Sequence, residues 1–98
     1  MYLSISIDEF QQRIKKEKLS VIDVREVDEY QMGHLPGTIN IPLSSWRKTR
    51  PTLDKKSVHY VICQSGFRSA KVCEWLSMQE YQVVNVIGGI SAWRGTLI

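Results

Sequence analysis

A cysteine followed five residues later by an arginine is the feature of this sequence best suited to nucleophilic chemistry. The segment reads Cys63-Gln64-Ser65-Gly66-Phe67-Arg68-Ser69. An apolar run that begins at Val58 precedes it and predicts a buried strand. After it, apolar residues at helical spacing predict a helix from Ser69 onward with one apolar side, formed by Ala70, Cys73, Trp75 and Leu76. Cys63 should therefore open a loop between the carboxyl end of a strand and the amino end of a helix.

A loop in this position favours a negative charge on the cysteine sulfur. The first N–H groups of a helix lack partners within the helix, and the helix dipole places partial positive charge there. With Gly66 in the turn, successive N–H groups can point inward, and Arg68 is expected to close the ring with a permanent charge. Lowering a cysteine pKa from about 8.5 to about 6.5 requires roughly 2.7 kcal/mol. Hydrogen bonds to a charged group supply about 1.5–3 kcal/mol each, so we expect Cys63 to be a thiolate near neutral pH.

The second cysteine, Cys73, falls among the apolar positions of the predicted helix. At ~1.5 Å per residue it lies roughly 8–10 Å along the helix axis from the loop. Because a disulfide needs Cα atoms within about 7 Å of each other, we interpret Cys73 as a core residue and not as a partner of Cys63.

Four motifs in this order resemble a single-domain rhodanese, a sulfurtransferase module. They are Asp23-Val24-Arg25, the segment from Glu29 to Pro42, the loop from Cys63 to Ser69, and Gly88-Gly89-Ile90-Ser91-Ala92-Trp93. The resemblance extends from about Ser4 to Trp93. It implies an α/β fold of three layers, with a mainly parallel central sheet of four to five strands flanked by helices, and a single domain over residues 1–98.

The resemblance also implies an activity. A sulfane sulfur would move from thiosulfate or a persulfide to a thiophilic acceptor, through a persulfide on Cys63, and neither a metal nor an organic cofactor would be needed. The catalytic residue would be Cys63. The loop and anion-binding residues would be Gln64, Ser65, Gly66, Phe67, Arg68 and Ser69, with Asp23 and Arg25 in support.

The loop departs from the commonest rhodanese pattern at Gln64, where arginine is frequent. The missing charge weakens the case for a doubly anionic donor such as thiosulfate. It favours a neutral or peptide-bound persulfide, delivered by a protein such as a cysteine desulfurase. Phe67 at the rim could offer such a partner an apolar contact, or could equally pack against the sheet.

Two other functions compete with sulfur transfer. Cysteine phosphatases and arsenate reductases also place a thiolate loop and an arginine before a helix, but their pattern has five residues between cysteine and arginine. Here there are four, and the tighter ring suits a sulfur atom better than a tetrahedral phosphate. A persulfide relay or protein-interaction module with little small-molecule turnover is the other alternative.

The rest of the chain predicts strands alternating with helices. The predicted strands are Tyr2–Ile5, Leu19–Val24, Thr38–Ile41, one from Val58, and Val83–Ile87. The predicted helices are one from a Ser6/Glu9 capping box to about Lys18, Glu26–Met32, one capped by Ser44 or Ser45 and ended by Pro51, the helix after the loop, and one after Gly88-Gly89. This alternation is typical of a parallel sheet, and ligands bind beyond the carboxyl ends of such strands.

Three polar residues near the predicted site allow more than one interpretation. Asp23 either orients its own loop or anchors the active-site loop by accepting backbone N–H groups. Arg25 either pairs with Glu29, four residues on, or supplies charge for an anionic donor. His34 has the pKa range of a catalytic base, but the family pattern places it in a turn, and we favour that structural role.

Composition sets limits on the function. The chain has 98 residues, a net charge of +3 and 43 % hydrophobic residues, which fits one folded domain. Its basic residues are scattered and favour a solvated surface over a nucleic-acid site. No apolar run approaches the ~20 residues of a membrane span, and no signal peptide is recognisable. We therefore expect a cytoplasmic monomer without a nucleic-acid or membrane partner.

Overall fold

Five parallel strands form the central layer of the computed structural model, which describes residues 1–46 and 52–98. The strands are β1 (Leu3–Ser6), β2 (Ser20–Asp23), β3 (Ile39–Asn40), β4 (Val58–Ile62) and β5 (Gln82–Ile87). Their order across the sheet is β1-β5-β4-β2-β3, and every pairing is parallel. The predicted α/β fold class with a parallel sheet of four to five strands is confirmed.

In the described parts of the chain, three helices lie between strands, α1 (Ile7–Lys16), α2 (Val27–Met32) and α3 (Phe67–Met78), and α4 (Gly89–Ala92) follows β5. The Ser6 hydroxyl accepts the N–H of Glu9 at 3.1 Å, as predicted for the cap of α1. Where a further helix was predicted after Ser44 or Ser45, the structure has a short 3₁₀ turn at Leu43–Ser45, and the predicted end at Pro51 lies outside the described residues. No helix in the described ranges is long and apolar enough to span a membrane.

Side-chain alternation along the strands builds one apolar layer on each face of the sheet. On β4, Tyr60 and Ile62 pack on the face covered by α1, where Phe10 is completely buried. Val61 and Cys63 point to the opposite face and pack against α3. The period of two therefore directs the Cys63 side chain towards α3. It also directs Asn85 of β5 to that face, since Val84 and Val86 face α1.

The helix after the loop differs from its prediction in two respects. It begins at Phe67, two residues before Ser69, and its buried residues are Ser69, Val72, Cys73 and Leu76. Trp75 was predicted on the apolar side but is 37 % exposed. Its ring meets that of Trp46 edge to face, with centroids 5.8 Å apart, so it covers the margin of the core.

The strands that carry the predicted site residues are neighbours. β2 and β4 run parallel, with Asp23 opposite Ile62 in the register. The residues that follow these two positions therefore emerge at the same edge of the sheet, as predicted for Asp23 and Cys63. That edge is where open parallel sheets bind ligands.

Candidate active site

The Cys63 sulfur lies at the centre of the loop between β4 and α3. The N–H of Gly66 donates to Sγ at 3.0 Å, and the Ser69 hydroxyl oxygen is 3.3 Å from Sγ. Gly66 adopts a φ of 107°, which glycine reaches without a side-chain clash, and is the cap residue of α3. Cys63 is only 1 % exposed, so the sulfur occupies a closed cradle at the helix N-terminus.

The surroundings of the sulfur favour its anionic form. Burial, the largest influence, raises the pKa of Cys63, but hydrogen bonds from the Ser69 hydroxyl and from the N–H groups of Ser69, Gly66 and Ser65 outweigh it. Together they hold the pKa of Cys63 below its ordinary value. Cys73 has no such donors, and burial followed by repulsion from the Cys63 charge raises its pKa to about 12. The two cysteines therefore differ sharply in nucleophilicity.

Helix α4 holds the loop in this orientation. The N–H of Ile90 donates to the carbonyl of Cys63 at 3.0 Å, and the N–H of Ser91 donates to the carbonyl of Gln64 at 2.9 Å. Because the two ends of a planar peptide group point in opposite directions, turning the Gln64 carbonyl towards α4 turns the Ser65 N–H towards the sulfur. The amino end of α4 thereby orients the donors that surround Cys63.

A buried polar pair, Ser69 and Asn85, extends the cradle into the sheet. Ser69 is completely buried and Asn85 is 6 % exposed. The Ser69 hydroxyl lies between two acceptors, Oδ1 of Asn85 at 2.5 Å and Sγ of Cys63 at 3.3 Å, so its single proton is shared between them. Nδ2 of Asn85 donates to the Gly66 carbonyl at 3.4 Å. Sequence reasoning missed Asn85, although a single polar residue inside the apolar run of β5 was an available signal.

The position of Arg68 corrects the sequence prediction. Its guanidinium does not close the ring as an unpaired charge, because both terminal nitrogens donate to the Glu29 carboxylate of α2, at 2.6 Å and 2.9 Å. The hydrogen bond from Arg68 is the main reason that the pKa of Glu29 falls to about 2. The loop is therefore closed by an ion pair.

Asp23 and Arg25 form a second, buried ion pair below the loop. The Asp23 carboxylate accepts a hydrogen bond from the backbone N–H of Arg25 at 2.9 Å. It also accepts hydrogen bonds from two nitrogens of the Arg25 guanidinium. The guanidinium also donates to the Gln64 side-chain oxygen at 3.4 Å and to the Gly33 carbonyl at 2.8 Å. Asp23 thus orients its own loop and reaches the Cys63 loop only through Arg25. The predicted ion pair between Arg25 and Glu29 was wrong, since Arg25 contacts only the backbone carbonyl of Glu29.

Comparison with known proteins identifies the family of this fold and site. The family model described as Rhodanese-like domain matches residues 6–96. The chain belongs to the rhodanese-like domain family. A crystal structure of a rhodanese-like domain protein from Staphylococcus aureus is 34% identical, with a TM-score of 0.89, and the match covers 98% of this chain and 96% of that one.

Two curated relatives of this rhodanese-like domain come from Bacillus subtilis (strain 168). The putative sulfurtransferase YtwF is 42% identical over 79 residues, which cover 81% of this chain and 77% of YtwF. The putative sulfur carrier protein YrkF is 37% identical over 93 residues, which cover 93% of this chain and 50% of YrkF. This chain therefore spans half the length of YrkF. Both relatives thus have names that refer to sulfur chemistry.

The remaining predicted loop residues lie at the rim of the rhodanese-like site. Gln64 donates from Nε2 to the Ser91 hydroxyl at 3.1 Å, so its amide bridges Arg25 and α4. Ser65 is exposed, and Phe67 is 79 % exposed, so the Phe67 ring does not pack against the sheet. The ring is therefore accessible, and its contact with a partner protein stays a prediction.

His34 occupies a turn away from this cradle. Its Nδ1 donates to the Tyr30 carbonyl at 2.9 Å, and its ring stacks on Tyr30 with centroids 3.7 Å apart. Both contacts support the structural role favoured from the sequence. Within residues 1–46 and 52–98, no three His, Cys, Asp or Glu side chains cluster in a way that could hold a metal ion.

The tight packing of α4 on the loop leads to a stability prediction. A Cβ at Gly89 would collide with the Cys63 carbonyl oxygen and lie 2.7 Å from that of Gln64. Gly37 also has a positive φ, but nothing lies within 4 Å of its Cβ position, so Gly37→Ala is a matched control. We expect Gly37→Ala to lower the free energy of unfolding by about 1–2 kcal/mol. Gly89→Ala should lower it by roughly 1–3 kcal/mol more, as measured by urea unfolding. Equal losses in the two variants would contradict the close contact.

Proposed function

We propose that this protein transfers sulfane sulfur through a persulfide on Cys63. The observation that carries the proposal is the ring of donors around one buried sulfur, formed by the N–H groups of Ser65, Gly66 and Ser69 and the Ser69 hydroxyl. Neutral donors arranged around an anion stabilise both a thiolate and the terminal sulfur of a persulfide. The names of YtwF and YrkF, putative sulfurtransferase and putative sulfur carrier, support the same chemistry.

The first step is attack by the Cys63 thiolate on the outer sulfur of the donor. A new S–S bond forms from the thiolate lone pair, and the old bond to that sulfur breaks. Its electron pair leaves with the rest of the donor, as sulfite from thiosulfate or as a thiolate from an organic persulfide. The transferred sulfur then lies one bond farther along, in reach of the loop N–H groups.

The second step returns the enzyme to its starting state. A nucleophilic acceptor attacks the terminal sulfur, the S–S bond to Cys63 breaks, and its electron pair returns to Cys63 as the thiolate. The donors that stabilise the resting thiolate also stabilise it as a leaving group. No redox cofactor is required, because the sulfur atom moves at the same oxidation state in both steps.

A persulfide relay between proteins is the second candidate, and the charge of the site favours it. Gln64 adds no charge, and both arginines near the loop are paired with carboxylates. A small dianion therefore meets no unpaired guanidinium there. A protein persulfide, for example on a cysteine desulfurase, could instead meet the exposed Phe67 ring at the rim.

Mass spectrometry of the intact protein and of its proteolytic peptides tests the proposal. After incubation with thiosulfate or glutathione persulfide, we expect a gain of about 32 Da, one sulfur atom, on the peptide that contains Cys63. Cyanide should remove this mass and release thiocyanate. A Cys73→Ala variant should gain the same mass. Absence of the adduct with both donors, or its location on Cys73, would overturn the proposed function.

A further inference from the structure

We propose that Glu29 determines which donor charge the site accepts, by keeping Arg68 in an ion pair so that dianionic sulfur donors are disfavoured. This inference rests on the proposed sulfur transfer and assigns Glu29 as a residue that determines specificity. Arg68 is the second residue of α3 and lies at the mouth of the cradle. In the resting structure its charge is directed at a carboxylate of α2 and not at the space where a donor would bind.

Glu29 is held firmly in this position. Its carboxylate accepts hydrogen bonds from both terminal nitrogens of Arg68. Its Oε1 also accepts the backbone N–H of Glu26 at 3.1 Å, as part of a capping box at the start of α2. Since the pKa of Glu29 is about 2, the carboxylate stays ionised at every pH used for activity measurements. Protonation of Glu29 therefore does not release Arg68 in that pH range.

The other charges beside the loop do not replace the neutralised guanidinium. Arg25 is 3 % exposed, and Asp23, its partner in the ion pair, is completely buried. The first turn of α2 adds Asp28, which is exposed. Among the described residues at this edge, the two guanidinium groups are thus each matched by a carboxylate. The uncharged N–H and O–H donors of the cradle remain to bind the sulfur.

Two donors that differ by one charge can separate this role from a structural one. Thiosulfate carries two negative charges and leaves as sulfite, whereas methanethiosulfonate carries one and leaves as methanesulfinate. In each reaction the Cys63 thiolate forms an S–S bond, the donor's bond to its outer sulfur breaks, and the electron pair stays with the leaving group. The transferred atom and the product on the enzyme are the same. The effect of donor charge is therefore read from the ratio of kcat/KM in the variant to that in the unmodified protein, taken for each donor, in which the different leaving groups cancel.

The decisive variant is Glu29→Gln, which removes the charge and keeps an oxygen that can accept the Glu26 N–H. With Arg68 released, the change in log kcat/KM should scale with donor charge. We expect a rise of about tenfold with thiosulfate and about threefold with methanethiosulfonate, each measured with cyanide as acceptor. Asp28→Asn makes the same charge change on the same turn of α2 without contacting Arg68, and should change either value by less than about twofold.

Two further measurements make the proposal falsifiable. In an Arg68→Gln background, Glu29→Gln should no longer raise the preference for thiosulfate, because the two residues act as one unit. In the unmodified protein, kcat/KM for thiosulfate should fall by less than about twofold between 50 mM and 500 mM salt, whereas an unpaired guanidinium would produce a much steeper fall.

The outcomes distinguish this proposal from the proposed function. If Glu29→Gln leaves the ratio of kcat/KM for thiosulfate to kcat/KM for methanethiosulfonate unchanged, for example because both values rise equally, the role of Glu29 is overturned. Failure of either donor to form the Cys63 persulfide, in the unmodified protein and in every variant, would overturn sulfur transfer itself.

Discussion

Replacing Cys63 with serine is expected to lower sulfur transfer by at least about 10³-fold. The serine hydroxyl is not ionised near neutral pH and cannot form the S–S bond that the first step requires. The cradle of N–H groups would still bind an anion, but there would be no sulfur to receive the transferred atom. Thiocyanate formation from thiosulfate or methanethiosulfonate with cyanide measures this loss.

Cys73→Ala is the matched control for this experiment. Cys73 is completely buried in α3, and its pKa of about 12 keeps it a neutral thiol. We expect sulfur transfer within about twofold of the unmodified protein, together with a modest loss of stability from the small cavity. Inactivation by Cys73→Ala in a protein that remains folded, or residual turnover in Cys63→Ser, would contradict the assignment of the nucleophile.

Ser69→Ala should produce the second large effect, and it should depend on pH. A hydrogen bond to a charged group contributes about 1.5–3 kcal/mol, which corresponds to roughly a 10- to 100-fold change in an equilibrium constant. Removing the Ser69 hydroxyl, which lies 3.3 Å from Sγ, should therefore raise the pKa of Cys63. The reactive thiolate is the deprotonated form of Cys63, so the rate of reaction rises as the pH rises through the pKa of Cys63. Below it, we expect Ser69→Ala to react about 10- to 100-fold more slowly, and at higher pH the difference should disappear.

Alkylation by iodoacetamide measures this shift without requiring turnover. Its rate against pH gives the midpoint of Cys63 ionisation directly, and alkylation of Cys73 is suppressed because its pKa of about 12 keeps that thiol neutral. Ser69→Thr retains the hydroxyl and should restore most of the midpoint shift. A midpoint that stays the same in Ser69→Ala would show that the loop N–H groups alone stabilise the thiolate, and would assign Ser69 a packing role with Asn85.

The fold was predictable because its signals are local. The central strands β2, β4 and β5 are short, largely apolar runs, and Ser6 marks the start of α1 as its cap. Alternation of strands and helices then left a parallel sheet as the simplest arrangement. The position of Cys63 at the end of β4 followed from the same local pattern. The boundaries were less accurate: α3 begins at Phe67 because Gly66, in the left-handed region, serves as its cap.

Long-range polar contacts in the site were not predictable. Arg68 and Glu29 are 39 residues apart in the sequence, and no spacing rule relates them. Sequence reasoning instead paired Glu29 with Arg25, the basic residue four positions away. The structure prefers Asp23 for Arg25 because both are buried, and a buried guanidinium requires a carboxylate at short range. The Ser69–Asn85 hydrogen bond was missed for the same reason, since it joins a helix to a strand that follows it.

The burial of Cys73 bears on how this protein would recover from oxidative damage. An oxidant that reached the Cys63 thiolate would convert it to a sulfenic acid, which many proteins repair by forming an internal disulfide with a second thiol. The chain has only two cysteines, and the other one is a neutral, completely buried thiol. Repair would therefore depend on a thiol from solution, and prolonged oxidant exposure without such a reductant would carry Cys63 on to the irreversible sulfinic state.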